Sequence, residues 1–514
     1  MRSEYAEPLN SGQDRLVTVN QLADMVAESA GIRVVKKHVP GPQGVGGRNS
    51  DNTRLRQVLG WELGISLEEG LTRMYTWIEE QARTAGERLS RSIPTTMPPL
   101  DDTHKPSILL LYHFFFPDDV ASASYMYQLA QELTQRGWHV TVLTTNRYCH
   151  EPQRRIPQKE EHIQGIHVIR LPRPAWKQAY PFQRVLNSAW VIAGWLLKLV
   201  RLQAFDVILV GSDPAFAPLI IPGALFCKKA TIFAHWCFDL YPEIALADSD
   251  VPMHPAIVAL LQRLMGRSYR AAHLIADLGS CMRRRLAAYN HGAHEATLVP
   301  WALVEPEALT PAKPERRKGM FGDATLGLLY SGTLGRAHDY EMFLKLARLL
   351  RHRSPNIHLC FTARGNKVAA LKRAITREDT NITFVDFVPE SLLEDHLNAA
   401  DIHMISLNKG WNGLVVPSKF FGSLAMGKPI LYVGPEDSSI ASVLKEHTIG
   451  FYLDEICLED IAIKLDHLST NSDEINLLQK NAFNLYKNSF SKKIIVDKWD
   501  IVLRQLLSDA NKGK

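Results

Sequence analysis

From about residue 105 onward, short unbroken apolar runs recur along the chain, each followed by a stretch whose apolar positions repeat with helical period. Ile108–Tyr112 is such a run, as expected of a strand covered on both faces. Residues 125–136 carry helical periodicity and close at Gly137, a helix stop signal. Runs at 139–143, 166–169, 207–210 and 230–234 predict four more strands. After a break at 310–314 the alternation restarts, with strands at 326–330, 357–361, 382–385, 402–405 and 429–433 and a helix over 340–351. Strand–helix–strand order with short links implies right-handed crossovers and parallel sheets. The fold class is therefore α/β, with two tandem Rossmann-like, doubly wound domains over 105–308 and 309–470. Helices are predicted at 475–490 and 494–507, packed on the outside of one domain within a C-terminal section, 471–514. A charged block, 1–92, and a linker rich in proline and threonine, 93–104, precede the repeat.

Length and composition narrow the function. A chain of 514 residues divides into about three units at roughly 100–200 residues each. Its 46% hydrophobic and 22% charged residues are ordinary for a water-soluble protein. A net charge of +5 suits an anionic small substrate or membrane surface and excludes the dense charge of a nucleic-acid binder. The six cysteines are scattered without a CxxC pair, which argues against a zinc or disulfide framework and for a reducing cytoplasm. The first fourteen residues are polar and lack the apolar centre of a signal peptide. No run reaches the ~18–20 apolar residues of a membrane span. The nearest, 185–200, reads in two ways. One is an interfacial helix with Trp190 and Trp195 at headgroup level and Lys198 and Arg201 snorkelling; the other is a long buried helix with one polar edge.

In doubly wound sheets ligands bind beyond the carboxyl ends of the strands, and a cleft between two such domains is the default site. Ser331–Asp339 follows a predicted strand. There Gly332 and Gly335 permit close backbone approach and Arg336 can grip phosphate oxygens bidentately, against the plainer reading of a glycine turn with a surface arginine. Arg364 and Gly365 follow the next strand and either border the same ligand or form a simple connecting loop. Ser418 and Lys419 enter a small-residue helix that ends at Gly427, and Lys419 offers a point charge for a diphosphate. Asp248-Ser249-Asp250 imitates a metal-binding DxD but stands in a polar loop away from any strand end, so no metal site is expected there. Arg283–Arg285 reads as a solvated helix face.

Four stretches together resemble the bacterial family 4 glycosyltransferases of GT-B fold, in the branch similar to WbuB-type sugar transferases. They are Phe115–Asp119, His235–Glu243, Gly335–Asp339, and Pro417–Lys419 with Gly427–Pro429. The resemblance covers about 105–470 and implies a retaining transfer from a GDP- or UDP-sugar donor to a lipid-linked saccharide in exopolysaccharide or O-antigen synthesis. It implies no metal, no NAD and no nucleic acid, and a cytoplasmic enzyme peripheral to the inner membrane. Carried over residue by residue, it makes His235, Asp239 and Arg336 catalytic, and places Gly332, Gly335, Arg336, Arg364, Gly365, Ser418 and Lys419 around the donor. Asp239 and Glu243 follow His235 at i+4 and i+8, one face if the stretch is helical, although Pro242 interrupts it and a buried structural histidine is the alternative. The family's E-x7-E acidic pair is missing, with Leu414 and Gly422 in its place. A GT-B-fold epimerase and an inactive sugar-nucleotide-binding scaffold stay open beside the transferase.

Residues 5–84 resemble the C-terminal end of a nucleotide-sugar epimerase of the extended short-chain dehydrogenase class, nearest to the GDP-mannose 3,5-epimerases. The matching stretches are Glu7–Asn10, Val17–Ala23, Gly41–Val45, Gly47–Asn52 and Leu59–Trp61. This block has neither a dinucleotide fingerprint nor a Tyr-x-x-x-Lys pair, so no epimerase activity is expected of it.

Overall fold

The computed structural model describes residues 17–29, 34, 36, 50–60, 64–76, 105–177, 180–247 and 254–512. The linker 93–104, the Asp248–Asp250 loop and the stretches Glu7–Asn10 and Gly41–Val45 lie outside these residues. The chain forms two compact units, Met1–Ser92 and Ile93–Lys514.

In the first unit the described elements are helices, α1 (Val19–Ser29), α2 (Thr53–Leu59) and α3 (67–76), with no strand among the described residues. Thr18 and Gln21 form a capping box: Gln21 N donates to Thr18 Oγ1 at 3.1 Å and Thr18 N donates to Gln21 Oε1 at 2.8 Å. Gly60, at φ +57°, ends α2 in the left-handed region that glycine reaches most cheaply.

The second unit holds two sheets. In the first sheet the strands are β1 (Ser107–Leu111), β2 (His139–Thr145), β3 (Glu160–Ile163), β4 (Ile166–Leu171), β5 (Phe205–Val210), β6 (Ala230–Trp236), β7 (Leu274–Asp277) and β8 (His294–Thr297). Their order is β3-β4-β2-β1-β5-β6-β7-β8, parallel except for the edge strand β3, which runs antiparallel to β4. Around it stand α4 (Ala121–Gln135), α5 (Pro181–Arg201), α6 (Ile220–Phe226), α7 (Glu243–Ala247), α8 (Pro255–Ala271) and α9 (Ser280–Ala287). The second sheet consists of β9 (Leu326–Thr333), β10 (Ile357–Arg364), β11 (Ile382–Phe384), β12 (Ile402–Ser406), β13 (Ile430–Val433) and β14 (Gly450–Tyr452). It is wholly parallel, in the order β11-β10-β9-β12-β13-β14. Its helices are α10 (Pro314–Phe321), α11 (Glu341–Arg353), α12 (Val368–Ala374), α13 (Leu393–Asn398), α14 (Lys419–Ala425), α15 (Ser439–Glu446) and α16 (Leu458–Thr470). Ile108–Leu111 and Val207–Val210 have no exposed side-chain surface, which is why they read as unbroken apolar runs. Strand order reverses between β1 and β5 and again between β9 and β12, and each reversal opens a crevice at the strand ends.

The C-terminal section departs from expectation. Helix α17 (Ser472–Leu485) stays with the second sheet, but after a π-helical turn at Tyr486–Phe490, α18 (Lys492–Lys512) crosses back to the first. There the Trp499 ring meets Trp236 edge-on at 5.2 Å. Asp500 accepts from Trp138 Nε1 at 2.6 Å and from Arg504 Nε at 2.7 Å, while Arg504 donates to the Arg136 carbonyl at 2.8 Å. Apolar residues 495, 496, 499, 502 and 503 make one helical face, which packs against α4 and β6 of the first sheet.

The interfacial reading of 185–200 also needs correction: Trp195 is fully buried in the first core, and only Trp190 faces outward. No helix among the described residues is long and apolar enough to cross a membrane.

Candidate functional site

The first crevice is built from the loops after β1, β5 and β6. Parallel pairing sets Leu111 beside Val210, so the next residues of both strands emerge together. His113 N donates to the Asp213 carbonyl at 2.9 Å, and its Nδ1 lies 3.0 Å from Asp213 Oδ1. Burial pulls the His113 imidazole below its ordinary range, opposed by the Asp213 carboxylate. Its Nε2 is buried without a protein partner among the described residues. The Ser212 hydroxyl accepts from Phe238 N at 2.8 Å and Asp239 N at 3.2 Å, clamping the loop after β6 to the loop after β5. Burial, reinforced by Asp213, pushes the Asp239 carboxyl up to about 6. Asp118, raised by burial, accepts from Cys149 N at 2.7 Å.

Two expectations fail here. The stretch from His235 to Glu243 is not one helix: His235 is the penultimate residue of β6, Asp239 stands in a bend and Glu243 opens α7. His235 is 1% exposed, with Nδ1 2.9 Å from the Val210 carbonyl and its ring stacked on Tyr269. Burial holds it neutral, at about 4, and it is not among the residues that line the cavity between the two sheets. It is a core residue of the sheet, the alternative weighed from sequence. Glu243 takes hydrogen bonds from Tyr289 and Gln262 in the same core layer.

The second crevice collects the glycine loops. Gly332 sits at φ +121°, and a Cβ there would stand 2.8 Å from Lys419 Cε. The missing side chain thus makes the channel through which Lys419 reaches Tyr330 Oη at 2.7 Å and the Thr333 carbonyl at 2.6 Å. Its ammonium also lies over the Tyr330 ring at 4.1 Å. Desolvation lowers Lys419 to about 7, and no carboxylate among the described residues offsets it. Leu334 N donates to the Arg364 carbonyl at 2.7 Å, and a Cβ at Gly365, φ +128°, would strike the Leu334 carbonyl at 2.6 Å. The turns bearing Gly335–Arg336 and Arg364–Gly365 are thereby knitted into one wall. Asn408 Nδ2 donates to the Arg336 carbonyl at 2.7 Å, and the Arg364 guanidinium lies over the half-exposed Phe387 ring at 5.0 Å. His338, pressed down to about 3 by burial and by Lys419 and Lys367, adds no charge.

A cavity of about 180 Å³ joins the two sheets. Gly332, Ser418 and Lys419 line it together with Phe387, Gly422 and, from the first sheet's side, Tyr125 and Ala302–Val304. The Tyr125 phenol, pushed up to about 12 by burial, faces Ser418 across this cavity. At Gly422, the position of the missing acid, an added Cβ would meet nothing within 4 Å. Leu414 is buried, and its carbonyl accepts from Leu240 N at 3.1 Å, a further tie between the halves. The structure therefore unites Gly332, Ser418 and Lys419, sets Gly335, Arg336, Arg364 and Gly365 in the adjoining wall, holds Asp239 in the opposite crevice, and keeps His235 apart. Arg284 and Arg285 are not merely solvated: they donate to the carbonyls of Asp437 at 2.8 Å and Asn412 at 3.2 Å, bridging the halves. Sequence reasoning missed His113, Asp213, Tyr330 and Phe387. Only His113 left a signal, as a polar residue directly behind the first apolar run. The whole arrangement can seat a diphosphate against a desolvated cation and face it with carboxyl groups.

Residues 121–302 match the family model of a glycosyl transferase 4-like domain. Over 334 residues the chain is 24% identical to the probable glycosyltransferase WbjE of Pseudomonas aeruginosa, covering 60% of this chain and 77% of that protein. Over 80 residues it is 44% identical to a GDP-mannose 3,5-epimerase of Arabidopsis thaliana, covering 16% of this chain. The chain spans only 21% of the length of that epimerase. Among solved structures, a sucrose-phosphate synthase from Thermosynechococcus elongatus superposes with a TM-score of 0.59 at 14% identity, covering 79% of this chain and all of that one. HepE of Anabaena, solved with UDP, superposes with a TM-score of 0.54 at 12% identity, covering 78% of this chain and all of that one. The fold is GT-B, as the sequence predicts.

Proposed function

We propose that this chain is a retaining glycosyltransferase of the WbuB-like branch, moving a sugar from a GDP- or UDP-sugar to a lipid-linked saccharide in exopolysaccharide or O-antigen assembly. One observation carries the reading: an unpaired, desolvated lysine, Lys419, faces a cavity walled by both GT-B halves. A half-buried cation without a carboxylate beside it is best completed by a ligand anion. The donor diphosphate is that anion, with Lys419 and Arg336 on its oxygens and the base against Phe387 and Arg364. The bond from sugar C1 to the diphosphate oxygen breaks, and the electron pair leaves with the nucleotide. An acceptor hydroxyl oxygen forms the new bond to C1 on the same face, and its proton passes to the departing phosphate. Lys419 and Arg336 stabilise that developing charge in a site shielded from water, a task that needs neither metal nor NAD. Asp239 and Asp213 accept hydrogen bonds from sugar or acceptor hydroxyls.

Incubation of the protein with GDP- and UDP-sugars and a membrane lipid extract, with excess chelator, tests the reading. Sugar appearing in lipid with its anomeric configuration kept is the expected result. Isomerised nucleotide-sugar, or binding without turnover, would replace the transferase by an epimerase or a scaffold. Lys419→Ala is expected to weaken donor binding by about 1.5–3 kcal/mol, the range for hydrogen bonds to charged groups.

A further inference from the structure

The cavity between the two sheets carries charge at one point, Lys419, and is otherwise neutral. Helix α14 presents Lys419, Gly422 and Ser423 to it, at i, i+3 and i+4, one face of the helix. Leu329, Leu393, Leu397 and Met404 supply apolar wall, and among the described residues no aspartate or glutamate lines the cavity. Two of its polar groups are already engaged within the protein. Ser423 Oγ lies 2.8 Å from His403 Nδ1, and His403 Nε2 lies 2.9 Å from the Leu397 carbonyl; both side chains are almost wholly buried. Ser331, Ser418 and Tyr125 add neutral hydroxyls, and the Lys419 ammonium only donates.

Lys419 and Phe387 both line this cavity, so a nucleotide with its diphosphate on the first and its base against the second holds its ribose between them. A ribose 2′-hydroxyl is read by a carboxylate set against it, a charged acceptor for the hydroxyl proton. One helical turn from Lys419 the place for such a group is held by Gly422, where an added Cβ would meet nothing within 4 Å. A 2′-hydroxyl carried into this space gives up water and gains no charged acceptor, whereas the methylene of a 2′-deoxyribose gives up nothing. A site built to bond a hydroxyl rejects the analogue that lacks it, and this cavity has no such means of rejection. We propose that Gly422 makes the donor site indifferent to the 2′-hydroxyl, so that sugars carried on 2′-deoxyribonucleoside diphosphates are donors alongside those carried on ribonucleotides. That indifference rests on the donor seat between Lys419 and Phe387.

Isothermal titration of the full chain with UDP, GDP and their 2′-deoxy counterparts tests it. Within each pair the two dissociation constants are expected to agree within about threefold. Gly422→Glu is expected to favour the ribonucleotide by about tenfold or more, the gain from a hydrogen bond to a charged group. Because that carboxylate also stands beside Lys419, the ratio within a pair is read and not the absolute affinity. Gly422→Gln, an uncharged acceptor on the same stem, is expected to give a smaller preference in the same direction, and it serves where Gly422→Glu does not fold. A wild-type preference for the ribonucleotide above about tenfold overturns the proposal and leaves the donor seat in place. A ratio that neither folded variant moves does the same. Lys419→Ala is expected to weaken both members of a pair alike. If the wild type binds no nucleotide, or Lys419→Ala leaves both members unchanged, the donor seat itself is lost and the proposal falls with it.

Discussion

The Lys419 ammonium makes donor binding depend on pH in a direction fixed by its surroundings. With its Nζ on Tyr330 and Thr333 and no carboxylate partner among the described residues, it titrates at about 7, against 10.5 for an ordinary lysine. A bound diphosphate restores the preference for the charged form, so the complex holds the proton that the free protein has lost. Below about pH 6 affinity is therefore constant. Above pH 7, each pH unit costs about tenfold, or about 1.4 kcal/mol, until the complex itself titrates. Between pH 7 and pH 9 the loss amounts to about fiftyfold. Isothermal titration with a nucleotide-sugar, whose diphosphate stays fully ionised over this range, measures it without interference from the ligand. At about pH 8 the heat is expected to change with the ionisation enthalpy of the buffer, with a slope approaching one proton taken up. Lys419→Arg, always charged, is expected to abolish both effects. Affinity that stays flat from pH 7 to 9, with heat independent of buffer, refutes the argument. Without ligand the sign reverses. The unfolded chain binds more protons than the folded one between about 7 and 10.5, so the thermal midpoint rises with pH there and the rise is lost in Lys419→Met.

Two glycines in the same cavity separate backbone from space. Gly332→Ala meets both a positive φ and Lys419 Cε, and is expected to cost about 1–3 kcal/mol in stability and to weaken donor binding, read by urea unfolding and thermal shift. Gly422→Ala, inside α14 with open space around it, is expected to raise stability by about 0.5–1 kcal/mol. Asp500→Ala strands Arg504 in the core and leaves Trp138 Nε1 unpaired; a loss of about 3–5 kcal/mol is expected in the same unfolding assay, and a loss below about 1 kcal/mol would show the pair to be dispensable. Removing residues 1–92 is expected to leave transfer activity largely intact, and a folded but inactive truncation would assign the epimerase-like block a role.

Strands at the centre of each sheet were legible because both faces are covered, which turns Ile108–Leu111 and Val207–Val210 into unbroken apolar runs. β3, β8 and β14 were not, being short and half-buried towards the sheet edges, where neither a run nor a period develops. Fully buried β7 was missed because four residues ending in Asp277 are too few to stand out. Gly332 and Lys419 could be paired on chemistry alone, since a glycine turn and a cation at helix starts both serve an anion. The His113–Asp213 pair could not, because a hundred intervening residues hide a contact that only the β1–β5 register creates. His235 misled for a related reason. Along β6 alternate residues face opposite layers, and nothing in the chain tells which layer is core and which is cleft.

The return of α18 to the first sheet bears on how such a chain is made. Every strand of that sheet has left the ribosome once Thr297 has emerged, yet the surface around Trp236 waits for Trp499. During the synthesis of about two hundred further residues that apolar layer lacks its cover, and the second sheet is completed in the interval. A chain cut just before α18 keeps the whole second sheet but leaves the first core open where that helix belongs. Helix α18 thus closes a sheet whose own strands were made about two hundred residues earlier.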